Sequence, residues 1–337
     1  MEVDTDIQQT MAAVVLTGHG GVDMLEYRDD VPLPEPQAGE VLISVGAAGI
    51  NNTDINTRIG WYSKSIKSAT NAGGAAGYED VDASDASWSG VALQFPRIQG
   101  ADCCGHIVAT GEGVSASRIG ERVLVRSIQT TGLPSGYACR TFGSECDGAF
   151  AQFTKTYAVD AIKVESELSD IELASFPCAY STAEGLLERA SVTAETLLVT
   201  GASGGVGSAV VQLAKRRGAK VIALASAAKV ASVEALGADQ VLDRDADLVD
   251  SLGSDSVDVV IDLVAGPGWP QLLDVLRPGG RYATAGAIAG PLVELDVRSL
   301  YLKDLSFFGC TYLKTWCPIS KRAKSNPLLR PATRWRR

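Results

Sequence analysis

The chain has 337 residues, a formal net charge of −10 and 46% hydrophobic residues. Because this length exceeds what one hydrophobic core usually supports, two domains are expected, and the acidic balance argues against nucleic acid and anionic membranes as partners. The start of the chain does not resemble a signal peptide and no apolar run is long enough to span a bilayer, so we expect a cytoplasmic protein.

The first half of the chain reads as strands separated by proline and glycine turns, without regular helices between them. The predicted strands are residues 11–18, 41–46, 107–110 and 122–125. This pattern predicts a β-rich barrel. Residues 63–95 are rich in Ser, Ala, Gly and Asp and show little apolar periodicity, which predicts a long surface loop.

A glycine-rich turn follows the apolar strand at residues 197–200 and precedes an apolar stripe at helical spacing. Gly201 allows a tight turn, Gly204 lets main-chain N–H groups approach a pyrophosphate, and Gly207 lets the helix pack on the sheet. The free N–H groups of that helix would face the phosphates. The turn therefore predicts a dinucleotide site, with a plain strand–helix turn as the alternative. Its predicted contacts are Gly201, Ala202, Ser203, Gly204, Gly205, Val206 and Gly207.

The second half alternates short apolar segments with helix-like segments. The predicted strands are residues 220–225, 240–242, 257–263, 280–285 and 305–308. This order predicts a doubly wound parallel sheet, with its binding crevice at the carboxyl ends of the strands. We expect the loops after the strands at residues 257–263 and 280–285 to border a nicotinamide. In the alternative interpretation, the glycines of these loops only allow the chain to turn. The residues concerned are Val264, Gly286, Ala287 and Ile288.

The end of the second strand of this sheet bears on the choice of cofactor. An NAD-preferring site usually places Asp or Glu there, whereas residues 225–229 carry no carboxylate. Ser226 can donate a hydrogen bond to a 2′-phosphate, and Lys229 can offer it a positive charge. The sequence therefore favours NADP(H). In the alternative interpretation, Lys229 is a solvated helix residue.

Several separate motifs occur in one order along the chain. They are Ala-Gly-Ile-Asn-Asn-Thr-Asp at residues 48–54, Arg-Ile-Gly-Trp-Tyr at 58–62, Gly-Ala-Asp at 100–102, Asp-Gly-Ala-Phe-Ala-Gln at 147–152, the glycine turn, and Leu-Arg-Pro-Gly-Gly at 276–280. Together they resemble the medium-chain dehydrogenase/reductase superfamily over about residues 11–312, and within it the zinc-independent quinone oxidoreductase branch.

The resemblance implies a domain organisation. A GroES-like catalytic domain would span residues 1–165, and a Rossmann NADP(H)-binding domain would span residues 166–312. Thr182 should approach the nicotinamide amide. Members of this superfamily often pair through the last Rossmann strand, so the resemblance also implies a homodimer.

The resemblance bears on metal binding as well. In the zinc-dependent alcohol dehydrogenases of this superfamily, the catalytic ion sits on a cysteine, a histidine and a further cysteine or acid. By the motif match these positions carry Asn51, Ala101 and Cys178 here. Tetrahedral zinc needs three or four protein donors, and one thiolate does not suffice. We therefore predict no zinc.

The two histidines and the other cysteines of the chain offer no alternative zinc site. His19 lies near the N-terminal strands and His106 lies in or beside a barrel strand, so both are expected to be structural. The four-cysteine structural zinc lobe of some relatives is reduced to Cys139 and Cys146. The chain has seven cysteines without a disulfide-framework spacing, which favours reduced thiols.

Without zinc, the substrate itself must delocalise the charge that hydride transfer creates, as quinones and α,β-unsaturated carbonyls do. The candidate catalytic residues are Asn51, Asn52, Thr53 and Tyr62. The amides could donate to an oxyanion, and Tyr62 or a water could deliver a proton. Each also has a structural alternative as a turn, cap or barrel residue. A zinc-type alcohol dehydrogenase and a catalytically weak dinucleotide-binding relative stay open as functions.

The tail, residues 313–337, departs from the family because it is short, basic and free of Asp and Glu. Codons for residues 325–336 can be chosen so that a neighbouring frame reads like the family's closing segment. We hypothesise a reading frame lost near Tyr312, which would deprive the barrel of closing elements. A functional basic tail is the alternative.

Overall fold

A computed structural model describes residues 9–133 and 138–311. The described chain divides into two compact units. The first contains the residues up to Ile66 together with Gly73–Cys178, and the second contains Lys67–Ala72 together with the residues from Ala179 onward. The domain bounds expected from the family resemblance remain predictions, and the tail at residues 313–337 lies outside the described residues.

The described residues of the first unit form ten strands. They are β1 (Thr10–Leu16), β2 (Leu25–Pro32), β3 (Glu40–Gly49), β4 (Arg97–Ile98), β5 (Asp102–Thr110), β6 (Arg122–Val125), β7 (Ile128–Gln129), β8 (Arg140–Thr141), β9 (Phe153–Tyr157) and β10 (Ala161–Lys163). Five strands make one sheet in the order β10-β6-β5-β3-β9, and three make another in the order β2-β1-β4. The predicted β-rich domain is confirmed.

The long strands β3 and β5 build the core of this unit. They pair antiparallel, with breaks in register after Leu42 and after Val45. Such bulges increase the local twist, so the sheet curls around the side chains on its inner face. That face holds a buried cluster that includes Val41, Ile43, Ile107, Val123 and Phe142.

Short helices also occur in this part of the chain, which the sequence predicted only to lack helices alternating regularly with its strands. They are α1 (Asn52–Ile59), α2 (Thr70–Gly73) and α3 (Asp170–Leu173). The stretch 63–95 is largely irregular as predicted, but it includes α2 and buries Ile66, Ala86 and Leu93. The stretch is thus largely the irregular loop that the sequence predicts, and its buried residues show that a few apolar residues without periodicity can still pack against a domain.

The described residues of the second unit form a six-stranded parallel sheet in the order β13-β12-β11-β14-β15-β16. Its strands are β11 (Thr196–Val199), β12 (Lys220–Ala225), β13 (Gln240–Asp243), β14 (Val257–Asp262), β15 (Leu276–Thr284) and β16 (Ser306–Gly309). The helices are α4 (Pro177–Arg189), which begins just before the unit, α5 (Gly205–Arg216), α6 (Val230–Ala235), α7 (Leu248–Leu252), α8 (Trp269–Val275) and α9 (Val297–Leu302). The doubly wound fold is confirmed.

The strands of this sheet are apolar because both of its faces are covered. Leu197, Leu198 and Val199 of β11 are fully buried between β12 and β14. Strand β15 begins at Leu276, earlier than predicted, since the Pro-Gly-Gly run at residues 278–280 forms an irregularity within the strand rather than a turn before it. In the part of the chain that the structure describes, no helix combines the length and apolarity needed to cross a membrane.

Candidate active site

In the second unit, the glycine-rich turn connects β11 to α5, and its glycines have no side chains to cover the main chain. Gly201 adopts a positive φ of 60°, which favours glycine. A Cβ at Gly207 would overlap the Gly201 carbonyl oxygen and lie 2.7 Å from Ala202 Cα. Helix α5 begins at Gly205 with Gly204 as its N-cap, so its first N–H groups are available to an anion. Because Gly201 and Gly207 let the turn fold tightly against the start of α5, the N–H groups there fit a pyrophosphate.

The loops predicted to border a nicotinamide meet at the same edge of the sheet. A Cβ at Gly201 would lie 3.4 Å from Val264, and one at Gly286 would lie 2.7 Å from the Leu263 carbonyl oxygen. The Ala289 N–H donates to the Val264 carbonyl at 2.9 Å. The structure therefore brings residues 201–207, 264 and 286–288 together at the carboxyl ends of β11, β14 and β15.

Thr182 lies on α4, whose start packs near this turn. A Cβ at Gly205 would make an ordinary 3.6 Å contact with Ala179. The Thr182 carbonyl accepts a weak bond from the Cys310 thiol at 3.9 Å.

A buried carboxylate that the sequence analysis missed organises this edge. Asp262 ends β14 and is fully buried. It accepts from the Thr200 hydroxyl at 2.6 Å and the Tyr282 hydroxyl at 2.7 Å, and also from the Val264 and Ala265 N–H groups. These bonds support Ala265 at a φ of 53°, an uncommon conformation for alanine. Its sequence signal was an acid at the end of an otherwise apolar strand.

The two residues predicted to contact a 2′-phosphate, Ser226 and Lys229, follow β12. Ser226 precedes a short 3₁₀ turn that contains Lys229, and both side chains are partly exposed. Arg244, which the sequence analysis did not select, is a second basic residue at this edge, and its main-chain N–H donates to the Ala225 carbonyl at 3.1 Å. Its guanidinium makes a long 3.5 Å contact with Asp245.

In the first unit, Asn51 caps α1, and its side chain is held by a distant acid. The Asn51 amide Nδ2 donates to Asp102 Oδ2 at 2.8 Å. The other oxygen of Asp102 accepts from the Cys178 main-chain N–H at 2.7 Å. One carboxylate thus joins residues 51 and 178, two of the three positions that the family resemblance matches to zinc ligands. The sequence analysis quoted Asp102 in a motif but gave it no role.

Asp54 is a second acid beside Asn51, and we call Asp102 and Asp54 together the acidic cluster. Its carboxylate accepts three main-chain N–H bonds, from Asn51 at 2.8 Å and from Gly100 and Ala101 at 3.1 Å each. Asp54 therefore ties the start of α1 to the segment that leads into β5. It also stood in a quoted motif without an assigned role.

Burial dominates the electrostatics of this cluster. It raises the pKa of Asp102 to about 7 and that of Asp54 to about 6, against the hydrogen bonds that lower both. Burial, followed by the two neighbouring carboxylates, raises the pKa of the Cys178 thiol well above its ordinary value. Cys178 therefore stays a protonated thiol at neutral pH.

The other predicted catalytic residues lie on or just after α1. The Tyr62 hydroxyl donates to Thr53 Oγ1 at 3.1 Å. Burial raises the pKa of Tyr62, so its hydroxyl stays protonated. Asn52 has an exposed side chain that makes no hydrogen bond to any other described residue. The structure thus pairs Thr53 with Tyr62 and links Asn51 to Asp102, but brings Asn52 into neither group.

The described residues contain no group of three His, Cys, Asp or Glu side chains that could hold a metal ion. His19 instead makes a 2.8 Å hydrogen bond through Nδ1 to the Thr57 carbonyl and packs edge-on against Phe95. His106 is exposed on β5. Cys139 and Cys146, which the family resemblance matches to a structural zinc lobe, are free cysteines.

Comparison with known families agrees with this fold. Residues 37–166 match the family described as alcohol dehydrogenase GroES-like domain, and residues 205–324 match the zinc-binding dehydrogenase family. The chain belongs to the medium-chain dehydrogenase/reductase superfamily. It is therefore assigned to the oxidoreductases that use a nicotinamide dinucleotide.

Three relatives illustrate the range of this superfamily. The chain is 30% identical to a quinone oxidoreductase of Lama guanicoe, over 90% of this chain and 81% of the relative. It is 29% identical to an acryloyl-coenzyme A reductase of Metallosphaera sedula, over 89% and 84%. A crystal structure provisionally assigned as an alcohol dehydrogenase, from Sinorhizobium meliloti 1021, is 44% identical with a TM-score of 0.80, over 95% of this chain and 86% of that one.

Proposed function

We propose that the chain is a cytoplasmic, NADPH-dependent and zinc-independent reductase that transfers hydride to a quinone or an α,β-unsaturated carbonyl. The observation that carries the proposal is the chemistry at the three positions that hold zinc in the zinc-dependent relatives. Here they carry an amide bonded to Asp102, the methyl group of Ala101 and the single thiol of Cys178. Such a set is a poor match for zinc, because zinc needs three or four thiolate, imidazole or carboxylate donors and only one of these three positions offers one.

The relatives support the acceptor class. A quinone oxidoreductase and an acryloyl-coenzyme A reductase, as their names state, act on conjugated molecules. Bound NADPH would supply the hydride. An acceptor that spreads the resulting negative charge over a conjugated system needs only hydrogen-bond donors and a proton from the protein.

The first unit offers such donors. The amide of Asn51 has two N–H groups, of which Asp102 takes one, so the other can donate to a developing oxyanion. Thr53 accepts from Tyr62 and keeps its own O–H to donate. A proton could therefore pass from Tyr62 through Thr53 to the reduced acceptor.

The second unit supports NADPH as the cofactor. The carboxyl end of β12 carries Ser226 and Lys229, with no acid in residues 225–229 and with Arg244 beside them. A 2′-phosphate would find a hydroxyl and two cations there, whereas the carboxylate typical of an NAD site is missing.

We also propose a homodimer. Strand β16 is the edge of the six-stranded sheet among the described residues. Its neighbourhood exposes Tyr301, Leu302 and Phe307 at 63%, 72% and 37%. Pairing β16 with a second copy would cover the open strand edge and these side chains. Light scattering tests this directly, since a monomer at micromolar concentration would contradict it.

The experiment that tests the function follows oxidation of NADPH with a quinone, an enone, an enoyl thioester and a simple aldehyde, with metal analysis of the same sample. We expect turnover with the conjugated acceptors and no stoichiometric zinc. Zinc near one equivalent with alcohol oxidation would instead identify a zinc-type alcohol dehydrogenase. Cofactor binding without turnover on any acceptor would identify a binding protein.

A further inference from the structure

Asp102 stands out in the first unit because it connects three segments that are distant in sequence. It opens β5 and is 2% exposed. Its Oδ2 accepts from the side chain of Asn51, 51 residues away, and its Oδ1 accepts from the main chain of Cys178, 76 residues away. Each oxygen therefore has one partner on a different segment.

No cation of the described residues balances this carboxylate. The influences on its charge are burial, the two hydrogen bonds and the neighbouring carboxylate of Asp54. A buried acid that lacks a cation costs stability, and an apolar residue of similar size would avoid that cost. Such costly groups concentrate at functional sites, so a role beyond packing is worth testing here.

The two acids of the cluster bind different parts of Asn51. Asp54 accepts the main-chain N–H of Asn51, together with those of Gly100 and Ala101, and so fixes the backbone. Asp102 accepts from the side-chain amide Nδ2. Because the last torsion of an asparagine side chain has a broad energy profile, this bond selects the plane in which the amide presents its second N–H.

We propose that Asp102 is the positioning residue for Asn51: it orients the Asn51 amide toward the acceptor oxygen and anchors it to the start of α4. This role rests on the proposed function, in which Asn51 donates to the developing oxyanion. Where zinc-dependent relatives join these positions through a metal, this chain joins two of them through a carboxylate. Asp102 itself does not touch the substrate.

The test is a double-mutant cycle on the full chain with Asp102→Asn and Asn51→Ala. The asparagine at 102 keeps the volume but has a single oxygen, so it cannot accept from both partners. We expect kcat to fall about tenfold in each single variant, with KM for NADPH changed less than about twofold. In the Asn51→Ala background, Asp102→Asn should lower kcat by less than about twofold, because residues that act through one another are not additive.

A spectroscopic readout separates positioning from mere packing. The side-chain amide of Asn51 can be assigned by nuclear magnetic resonance from the signal that Asn51→Ala removes. Asp102→Asn should shift that signal, whereas the matched control Asp160→Asn should not. Asp160 is a fully buried acid of the same unit that binds Thr131 instead.

The outcomes are distinguishable. Wild-type protein that reduces no conjugated acceptor refutes the proposed function, and the role of Asp102 with it. Active wild-type protein with additive kcat losses, or with an unmoved Asn51 signal, overturns the role of Asp102 alone. If Asp102→Asn does not fold, Asp102→Glu keeps both acceptor oxygens and displaces them by one methylene, and the same cycle is run with that variant.

Discussion

The two units build their candidate sites from different atoms. The cofactor edge of the second unit comprises residues 201–207, 264 and 286–288, at the carboxyl ends of its strands. There the main chain supplies the binding groups, and Gly201 and Gly207 leave room because they lack side chains. In the acidic cluster of the first unit, side chains supply the binding groups, since the carboxylates of Asp102 and Asp54 bind segments that lie far apart in sequence. The cofactor edge should therefore be sensitive to added atoms, and the acidic cluster should be sensitive to charge.

The largest expected effect is the response of the acidic cluster to pH. Burial raises the pKa of Asp102 from 3.8 to about 7, so the folded state keeps a proton that the unfolded state has lost. The free energy of unfolding should therefore fall as pH rises from about 4 to about 7, by about 4 kcal/mol in total from this group. Above about pH 7 both states are ionised and this dependence ends.

Urea denaturation between about pH 5.5 and pH 8 measures this dependence. About 2 kcal/mol of the fall should lie in that range and should be missing in Asp102→Asn. The control is Asp82→Asn, an exposed acid whose pKa is lowered by hydrogen bonds to Ser84 and which titrates at more acidic pH. Equal pH slopes in wild type and Asp102→Asn would contradict the account.

The next largest effect is expected from adding a single methyl group to the glycine-rich turn. Gly207→Ala would overlap the Gly201 carbonyl oxygen, so we expect a loss of about 1–3 kcal/mol in stability and a large loss of NADPH affinity. Thermal unfolding and fluorescence titration with NADPH measure the two losses. Gly268→Ala is the control, because a Cβ there meets no atom within 4 Å. Normal affinity in Gly207→Ala would mean that this turn does not hold the cofactor.

A smaller effect sharpens the assignment of the cofactor. Ser226→Asp places a carboxylate at the end of β12, where it should repel a 2′-phosphate and accept from a ribose diol. We expect kcat/KM for NADPH to fall about 10- to 100-fold while that for NADH rises or holds, with Ser226→Ala as the neutral control. A wild-type protein that prefers NADH would contradict the assignment of NADPH.

The smallest expected effect is that of chelation, which should leave the rate unchanged. Incubation with a strong zinc chelator, followed by the NADPH oxidation assay with an enone, measures it. A known zinc-dependent alcohol dehydrogenase treated in parallel should lose activity. Loss of activity here, restored by zinc, would show that the first unit holds a metal after all.

Much of the second unit was predictable from sequence because its signals are local. Apolar runs predicted its strands to within a few residues at most ends, and the predicted 220–225 matches β12 at both ends. The glycine spacing indicated the turn because it depends on clashes within seven consecutive residues. The early start of β15 was missed because proline and glycine usually mark turns.

The sequence by itself determined the superfamily and the two kinds of domain. Only the tertiary structure decided that Asp102 holds Asn51 and the main chain of Cys178, that Asp54 ties α1 to β5, and that Asp262 supports the loop after β14. The physical reason is range. Strand and turn preferences act between neighbours along the chain, whereas these carboxylates find their partners only after distant segments have packed together and excluded water.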